Sequence, residues 1–595
     1  MNFLSTLDWV IVAAYFLLSL VIGLMVSRKA GSSAQEFFLS GRNMPWWLLG
    51  VSMVATTFSA DTPNLVTDLV RQNGVSGNWG WWAFLLTGML TVFVYAKLWR
   101  RSEVMTDIEF YELRYSGSAA AFLRGFRALY LGLIFNVLVM GSVSLAAIKF
   151  GEILMGLPGW ATLLIAGSIT LAYSAIGGLR AVIITDFVQF ILAMIGAIWA
   201  AFYILDLEAV GGLSELLAHE VVSTKLSLLP DMSDPSVWAP VLLVPLAVQW
   251  WASYYPGSEP GGGGYIAQRM FSAKDERNAI GATLLYNVAH YALRPWPWIL
   301  IALASIVIFP NLTDLQTAFP NLTADKLGHD VAYPAMLTFL PAGLLGLVAA
   351  SIIAAFMSTM STQLNLGASY LVNDFYQRFI KPEATDKELV WTGRMFTVVS
   401  IILGGGLGLI LTNAAQAFNL MLLLGAGTGL IYILRWFWWR INAYTEIVAM
   451  IASLIIASYL TFFHDQTGLV ELAAWQKTVL GAVLTTIVWV IATFFTPPDD
   501  EAVLRNFYRK IKPGGPGWNA VRQRAEADGE SLPSDQSNLP LELLMFLIGS
   551  IAVYAALFAT GFWIYGQTSY ALISTVIAGL GGWWLFRVWG KLQTE

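Results

Sequence analysis

Phe58-Ser59-Ala60-Asp61-Thr62-Pro63 stands inside a long apolar stretch, and Tyr254-Tyr255-Pro256-Gly257-Ser258-Glu259-Pro260, running into Gly261 to Gly264, stands in another about 200 residues later. Neither can remain helical. Proline removes a donor and clashes with the preceding turn, glycine costs backbone entropy, and an isolated carboxylate is expensive in hydrocarbon. Outward from these two breaks, apolar segments recur along the whole chain. Of its 595 residues 57% are hydrophobic and only 12% charged, with mean hydropathy +0.65, which no soluble domain of that size can hide. In a bilayer a helix satisfies every backbone polar group within itself, so the expected fold is all-α, a polytopic membrane protein of about fifteen transmembrane helices.

The apolar segments place spans near 8–27, 46–71, 79–98, 121–150, 158–175, 181–206, 236–256, 279–309, 341–366, 390–413, 417–440, 444–463, 475–496, 541–563 and 568–588. Loop charge tests this placement, because cytoplasmic loops carry an excess of Lys and Arg. With the N-terminus outside, five of the 33 Lys and Arg fall outside (Arg71, Lys149, Lys225, Lys326, Lys477) and Arg294 falls within a span, leaving 27 inside or at inner helix ends. A missed helix would swap every later loop, so the bias supports both the count and a cytoplasmic C-terminus. The first span, preceded by Asp8 and followed by Arg28 and Lys29, is too long for a cleaved signal.

Five spans separate the start of one interrupted helix from the start of the other. Five is odd, so the second set runs in the opposite sense through the membrane. Paired interrupted helices in inverted halves point to a transporter binding site. The chain therefore divides into an extra helix and loop (1–45), a first inverted repeat (46–206), an external loop (207–235), a second inverted repeat (236–440) and four peripheral helices (441–595). The polar stretch 497–540 reads as a cytoplasmic linker with one short helix.

In the ninth span Ser358, Ser361 and Thr362 stand at i, i+3 and i+4, with Ala355 one turn before them and Thr359 at the edge of the same face. Neutral hydroxyls and carbonyls freed at a helix break suit a dehydrated monovalent cation; the alternative is bonding back to the helix or to neighbouring helices. Asp186, early in the apolar sixth span, must be paired in hydrocarbon: either with Arg180, or as a cation ligand supported by Thr185 and Gln189. His290 and Arg294 stand at i, i+4 in the eighth span. Arg294 is too deep to snorkel, so it should meet a protein carboxylate or an anionic group of the solute. Asp61, Thr62, Trp81, Glu259, His290 and Arg294 are the candidate solute-pocket residues. There is no cysteine and there are four histidines, which leaves little from which to build a metal centre or a nucleophilic enzyme site.

These residues resemble the sodium:solute symporter family. The resemblance covers roughly 8–440 and rests on Pro45-Trp46-Trp47 with Ser59-Ala60-Asp61, on Gly177-Gly178-Leu179-Arg180-Ala181-Val182 followed by Thr185-Asp186 and Gln189, on Tyr265-Ile266-Ala267-Gln268-Arg269, and on Ser358-Thr359 followed by Asn373-Asp374-Phe375-Tyr376. It implies a leucine-transporter-like core of five plus five inverted spans. It also implies a shared sodium site from the carbonyls of Ala55, Phe58 and Ala355 with the hydroxyls of Ser358 and Thr359. A second sodium set would fall on Asp186, Ser358, Ser361 and Thr362. The sugar-transporting branch has a glutamine where Thr62 stands and a carboxylate near Leu85, so the expected solute is an amino acid or carboxylate-bearing metabolite rather than a sugar.

The resulting expectation is a sodium-coupled symporter importing a small polar solute by alternating access. It should work as a monomer in the plasma (inner) membrane, with sodium as coupling ion, no other cofactor and no nucleic-acid partner. The alternative is a membrane sensor or channel of the same fold, a class that usually carries an appended signalling domain.

Overall fold

In the computed structural model the described residues are 3–251, 260–320, 327–411, 428–533 and 538–592. Among them the chain is helical throughout, and the one strand-like feature is a parallel bridge between Met44 and Ala273. Among the described residues eleven helices are long and apolar enough to cross a membrane. The four other expected spans are shorter or broken. The second consists of Trp46–Thr57 and Thr62–Asn73, the fifth is Gly159–Ala175, the seventh is described to Trp251 in short pieces beginning at Pro235–Trp238, and the eleventh is described only as Gly429–Phe437.

Burial separates a core from a periphery. In the most apolar 18-residue stretch of the ninth span (Leu344–Ile380) 89% of residues are buried, and in those of the third (Val75–Ser102) and eighth (Glu276–Ile308) 83%, against 22% in the first (Thr6–Val26) and 17% in the fifteenth (Thr568–Lys591). The sixth span (Gly177–Leu205) packs against the ninth and against the first half of the second, so the interrupted helix is enclosed. Exposed Leu, Ile, Phe and Trp side chains sit on the peripheral helices, where lipid takes the place of water.

Polar groups fasten this arrangement at chosen points. Asp8, fully buried at the start of the first span, accepts the N–H groups of Gly343 and Gly346, both at 2.7 Å, and so caps the ninth span from another helix. The fifth and sixth spans form one rod, Gly159–Leu205, bent at Gly178. There φ is +54°, and an added Cβ would lie 2.6 Å from the Phe37 carbonyl oxygen, so only glycine serves. The Gly-rich segment has a matching purpose. Gly261, Gly262 and Gly264 all have positive φ, and they let the backbone lie against Tyr95 and Thr91 of the third span before the helix Gly264–Ser272 begins.

The stretch 497–540 is more ordered than its polar composition suggests, holding two helices, Glu501–Ile511 and Asn519–Ala527, where one short helix was expected. Trp518 donates its indole N–H to the Trp436 carbonyl at 2.8 Å, and the Arg114 guanidinium lies over the rings of Trp518 and Phe507 at 5.0 and 5.3 Å. Leu504, Phe507, Ile511 and Val521 are buried beneath, so the apolar residues scattered through the stretch dock it.

One contact carries a pH dependence. Arg71, at the end of the second span, donates from Nε to Nδ1 of His329 at 3.2 Å, which requires that nitrogen to be unprotonated. Burial first, and the Arg71 charge second, hold the His329 imidazole below its ordinary 6.5; Asp68 and Asp330 act in the opposite direction, and Lys225 adds to Arg71. The folded state therefore binds fewer protons than the unfolded one, so the contact is intact above the ordinary histidine range and is lost as pH falls through and below it. Hydrogen exchange over residues 327–337, corrected for intrinsic rates, should rise between about pH 7.5 and about pH 5.5 and should stay flat in His329→Gln. A parent protein with equal protection at both values contradicts this reading.

Candidate functional site

The second span ends its first half at Thr57 and restarts at Thr62 because Pro63 fits only the first turn of a new helix. Phe58, with φ −88° and ψ 84°, turns the chain out of the helix. The last carbonyls of Trp46–Thr57 then need donors at membrane depth. Arg294 supplies them: Nη1 donates to the Val54 carbonyl at 3.0 Å and Nη2 to the Thr57 carbonyl at 3.1 Å. Its guanidinium lies over Phe58 and Trp298 at 5.6 and 5.0 Å, and those two rings stack on each other 5.2 Å apart. Sequence reasoning expected Arg294 to meet a protein carboxylate or an anionic group of the solute. Instead it caps a helix C-terminus, where both the carbonyls and the dipole favour a cation.

The eighth span delivers this group through a local widening. Pro295 has no N–H, and the helix slips over Ala289–Leu293 to i→i+5 bonding, with the Arg294 N–H reaching the Ala289 carbonyl at 3.2 Å. His290, on the same face, has Nδ1 3.2 Å from the Thr57 hydroxyl and its ring 5.5 Å from Trp81.

A cavity of about 200 Å³ opens beside the break. Asp61, Thr62, Trp81, His290 and Arg294 all line it, so the structure brings together every described member of the sequence-derived set; Glu259 lies outside the described residues. Tyr286 and Tyr291, which sequence reasoning did not single out, also face it, as does Tyr265, which it named only within a family motif. Tyr291 stacks with Trp81 at 5.9 Å, and its position next to His290 was the available signal.

The ninth span meets the break from the other side. Thr359 donates its hydroxyl to the Thr56 carbonyl at 3.1 Å, while the Ala55 carbonyl accepts the Phe58 N–H, also at 3.1 Å. Ser358 donates to Oδ1 of Asp186 at 2.6 Å, which leaves its lone pairs free. Both hydroxyls are fully buried. Neutral oxygens thus converge between two segments, with carbonyls having a second lone pair to offer, and such a donor set fits a hard monovalent cation.

Asp186 is paired, but with Arg269 and not with Arg180. Nη2 of Arg269 lies 3.4 Å from Oδ2, and both side chains are fully buried. Thr185 bonds back to the Ala181 carbonyl at 2.9 Å and Gln189 reaches the Tyr15 hydroxyl at 2.6 Å, so neither supports the carboxylate. Ser361 bonds back to the Ser358 carbonyl at 3.0 Å, whereas Thr362 accepts from Arg269 at 2.8 Å. Sequence reasoning named Arg269 only as part of the family motif from Tyr265 to Arg269 and gave it no partner there; every residue of Gly264–Ser272 is buried.

Residues 37–494 match the model of the sodium:solute symporter family. The chain belongs to that family. The symporter is 27% identical to the sodium/glucose cotransporter of Vibrio parahaemolyticus over 479 residues, 77% of this chain and 86% of that one. It is 27% identical to a sodium/mannose cotransporter of Bos taurus (78% and 80% covered) and 24% identical to the sodium/myo-inositol cotransporter of Homo sapiens (84% and 75% covered). Among solved structures it is similar to a substrate-bound, outward-open Na+-coupled sialic acid symporter, with TM-score 0.65 at 20% identity, covering 83% of this chain and 99% of that one. The fold of the symporter is therefore leucine-transporter-like, and its activity is sodium-coupled solute transport across a membrane rather than catalysis.

Arg294→Lys keeps the charge but loses the planar fork that serves two carbonyls. It should destabilise the purified symporter by about 1–3 kcal/mol in a detergent unfolding measurement. A variant as stable as the parent contradicts the capping role.

Proposed function

We propose that the protein imports a neutral, hydroxyl-rich solute of the sugar or cyclitol class together with sodium held by the carbonyls of Ala55, Phe58 and Ala355 and the hydroxyls of Ser358 and Thr359. The observation that carries the cation site is the contact of the Thr359 hydroxyl with the backbone of the interrupted helix at Thr56, 3.1 Å away. Sodium bridging the same two segments fixes the geometry of Phe58 to Thr62, and Asp61 and Thr62 line the solute cavity. Ion and solute then favour each other by a coupling that is typically about 1–3 kcal/mol and equal in both directions. Inward movement of the positive charge gains about 2.3 kcal/mol per 100 mV, so the membrane potential concentrates the solute.

The expectation of an amino acid or carboxylate solute is corrected on two grounds. Relatives that align over most of the chain are named for glucose, mannose and myo-inositol. In addition, Arg294 spends both terminal nitrogens on backbone carbonyls, while Asp61 faces the cavity and would repel a second carboxylate. Asp61, His290 and the tyrosine hydroxyls suit solute hydroxyls, and Trp81 stacked on Tyr291 suits the C–H face of a ring. The Lys and Arg bias supports an N-terminus outside and a C-terminus in the cytoplasm. The sequence division into 46–206 and 236–440 supplies the two inverted halves that rock about the site.

A thermal-shift screen in sodium against choline should find stabilisation by a hexose or cyclitol and none by amino acids. Thr359→Ala should raise the sodium concentration for half-maximal effect about tenfold, the equivalent of about 1.4 kcal/mol for one lost ligand. Selective stabilisation by an amino acid would overturn the solute assignment, and unchanged sodium dependence in Thr359→Ala would overturn the cation site.

A further inference from the structure

Asp186 belongs to the set on which the family resemblance would put a second sodium, and other groups already surround it. Ser52 donates to Oδ2 at 2.5 Å and Ser358 to Oδ1 at 2.6 Å. The Arg269 guanidinium enters the same cluster, with Nη2 2.8 Å from the Thr362 hydroxyl, 3.3 Å from the Thr56 hydroxyl and 3.4 Å from Oδ2 of Asp186. Its Nε donates to Ser52 at 3.2 Å. The guanidinium thus takes the hydroxyl of Thr362 and the carboxylate of Asp186, two of the four groups that a second ion would use.

We propose that Arg269 is a tethered cation that occupies the second sodium position, so that the transporter binds one sodium and not two. The inference rests on the symport reading above. Asp186 and Arg269 together are neutral and fully buried. A sodium added among Asp186, Ser358, Ser361 and Thr362 makes the cluster net positive in a low-dielectric interior and places it against a fixed guanidinium, an arrangement that costs more than the carboxylate returns.

The guanidinium is held in place by its neighbours. Gln268 donates from Nε2 to Asn365 at 2.8 Å and to the Phe38 carbonyl at 3.2 Å, which turns its Oε1 toward Arg269, where it accepts from Nη1 at 3.0 Å. The helix carrying both starts with the Gly264 N–H on the Asp107 carboxylate at 2.9 Å and ends on the bridge from Ala273 to Met44. Arg269 also links this helix to the shared sodium site, because the Thr56 residue whose hydroxyl it contacts is the one whose carbonyl accepts from Thr359. It is a positioning residue there as well as a charge.

The test is the number of sodium ions bound per full-length chain, measured with radiolabelled sodium on purified protein. The wild type should bind one, with an affinity about tenfold weaker in Thr359→Ala. Arg269→Gln should bind two, Arg269→Lys should stay at one, and the neutral pair Arg269→Gln with Asp186→Asn should return to one. Two sodiums on the wild type, or one on a folded Arg269→Gln, overturns the proposal alone and leaves sodium symport standing. A wild type that binds none overturns the symport reading with it. If Arg269→Gln does not fold, the wild-type count and the Arg269→Lys count still decide, since two on either contradicts a tethered cation.

Discussion

Backbone polar groups cannot be left bare inside a membrane, and the second span breaks that continuity between Thr57 and Thr62. The rest of the site follows from how the freed groups are served. Arg294 takes the carbonyls of Val54 and Thr57 from one side, and Thr359 takes the carbonyl of Thr56 from the other. Each donor comes from a different helix, so the break is also where the eighth and ninth spans are held together. A cation coordinated by the remaining lone pairs tightens the same junction.

Several charges inside the core are compensated from a distant segment. Asp8 of the first span caps the ninth, Lys97 pairs with Glu542 between the third and fourteenth spans, and Asp186 pairs with Arg269. Buried pairs of this kind contribute little net stability compared with apolar packing, but removing one partner is costly, so they specify which helices meet. In a protein whose helices have no hydrophobic drive toward one another within lipid, such contacts together with close packing direct which helices meet.

Much of this was legible in the sequence, because the signals were local. Pro63 and Asp61 inside an apolar run marked the broken helix, and the spacing of His290 and Arg294 placed both on the cavity. The hydroxyl series at Ser358 to Thr362 declared a polar face inside the most buried span. What escaped depended on tertiary partners. Arg294 looked like half of an ion pair because sequence cannot show that a helix C-terminus ends beside it. Arg269 was visible as a motif residue, but its pairing with Asp186 was not, because only the fold buries Gly264–Ser272 beside the sixth span. The solute class was misjudged for a related reason: an arginine in a cavity suggests an anion, and only its bonds to Val54 and Thr57 show that both terminal nitrogens serve the backbone.

The central claim is that ion and solute are linked through the junction of the interrupted helix with the ninth span. Its most direct test is reciprocity, with the dissociation constant of the solute measured at low and saturating sodium and that of sodium measured with and without the solute. The account predicts that each ligand strengthens the other by the same factor, between about 5-fold and 150-fold. Solute affinity that is indifferent to sodium would contradict it.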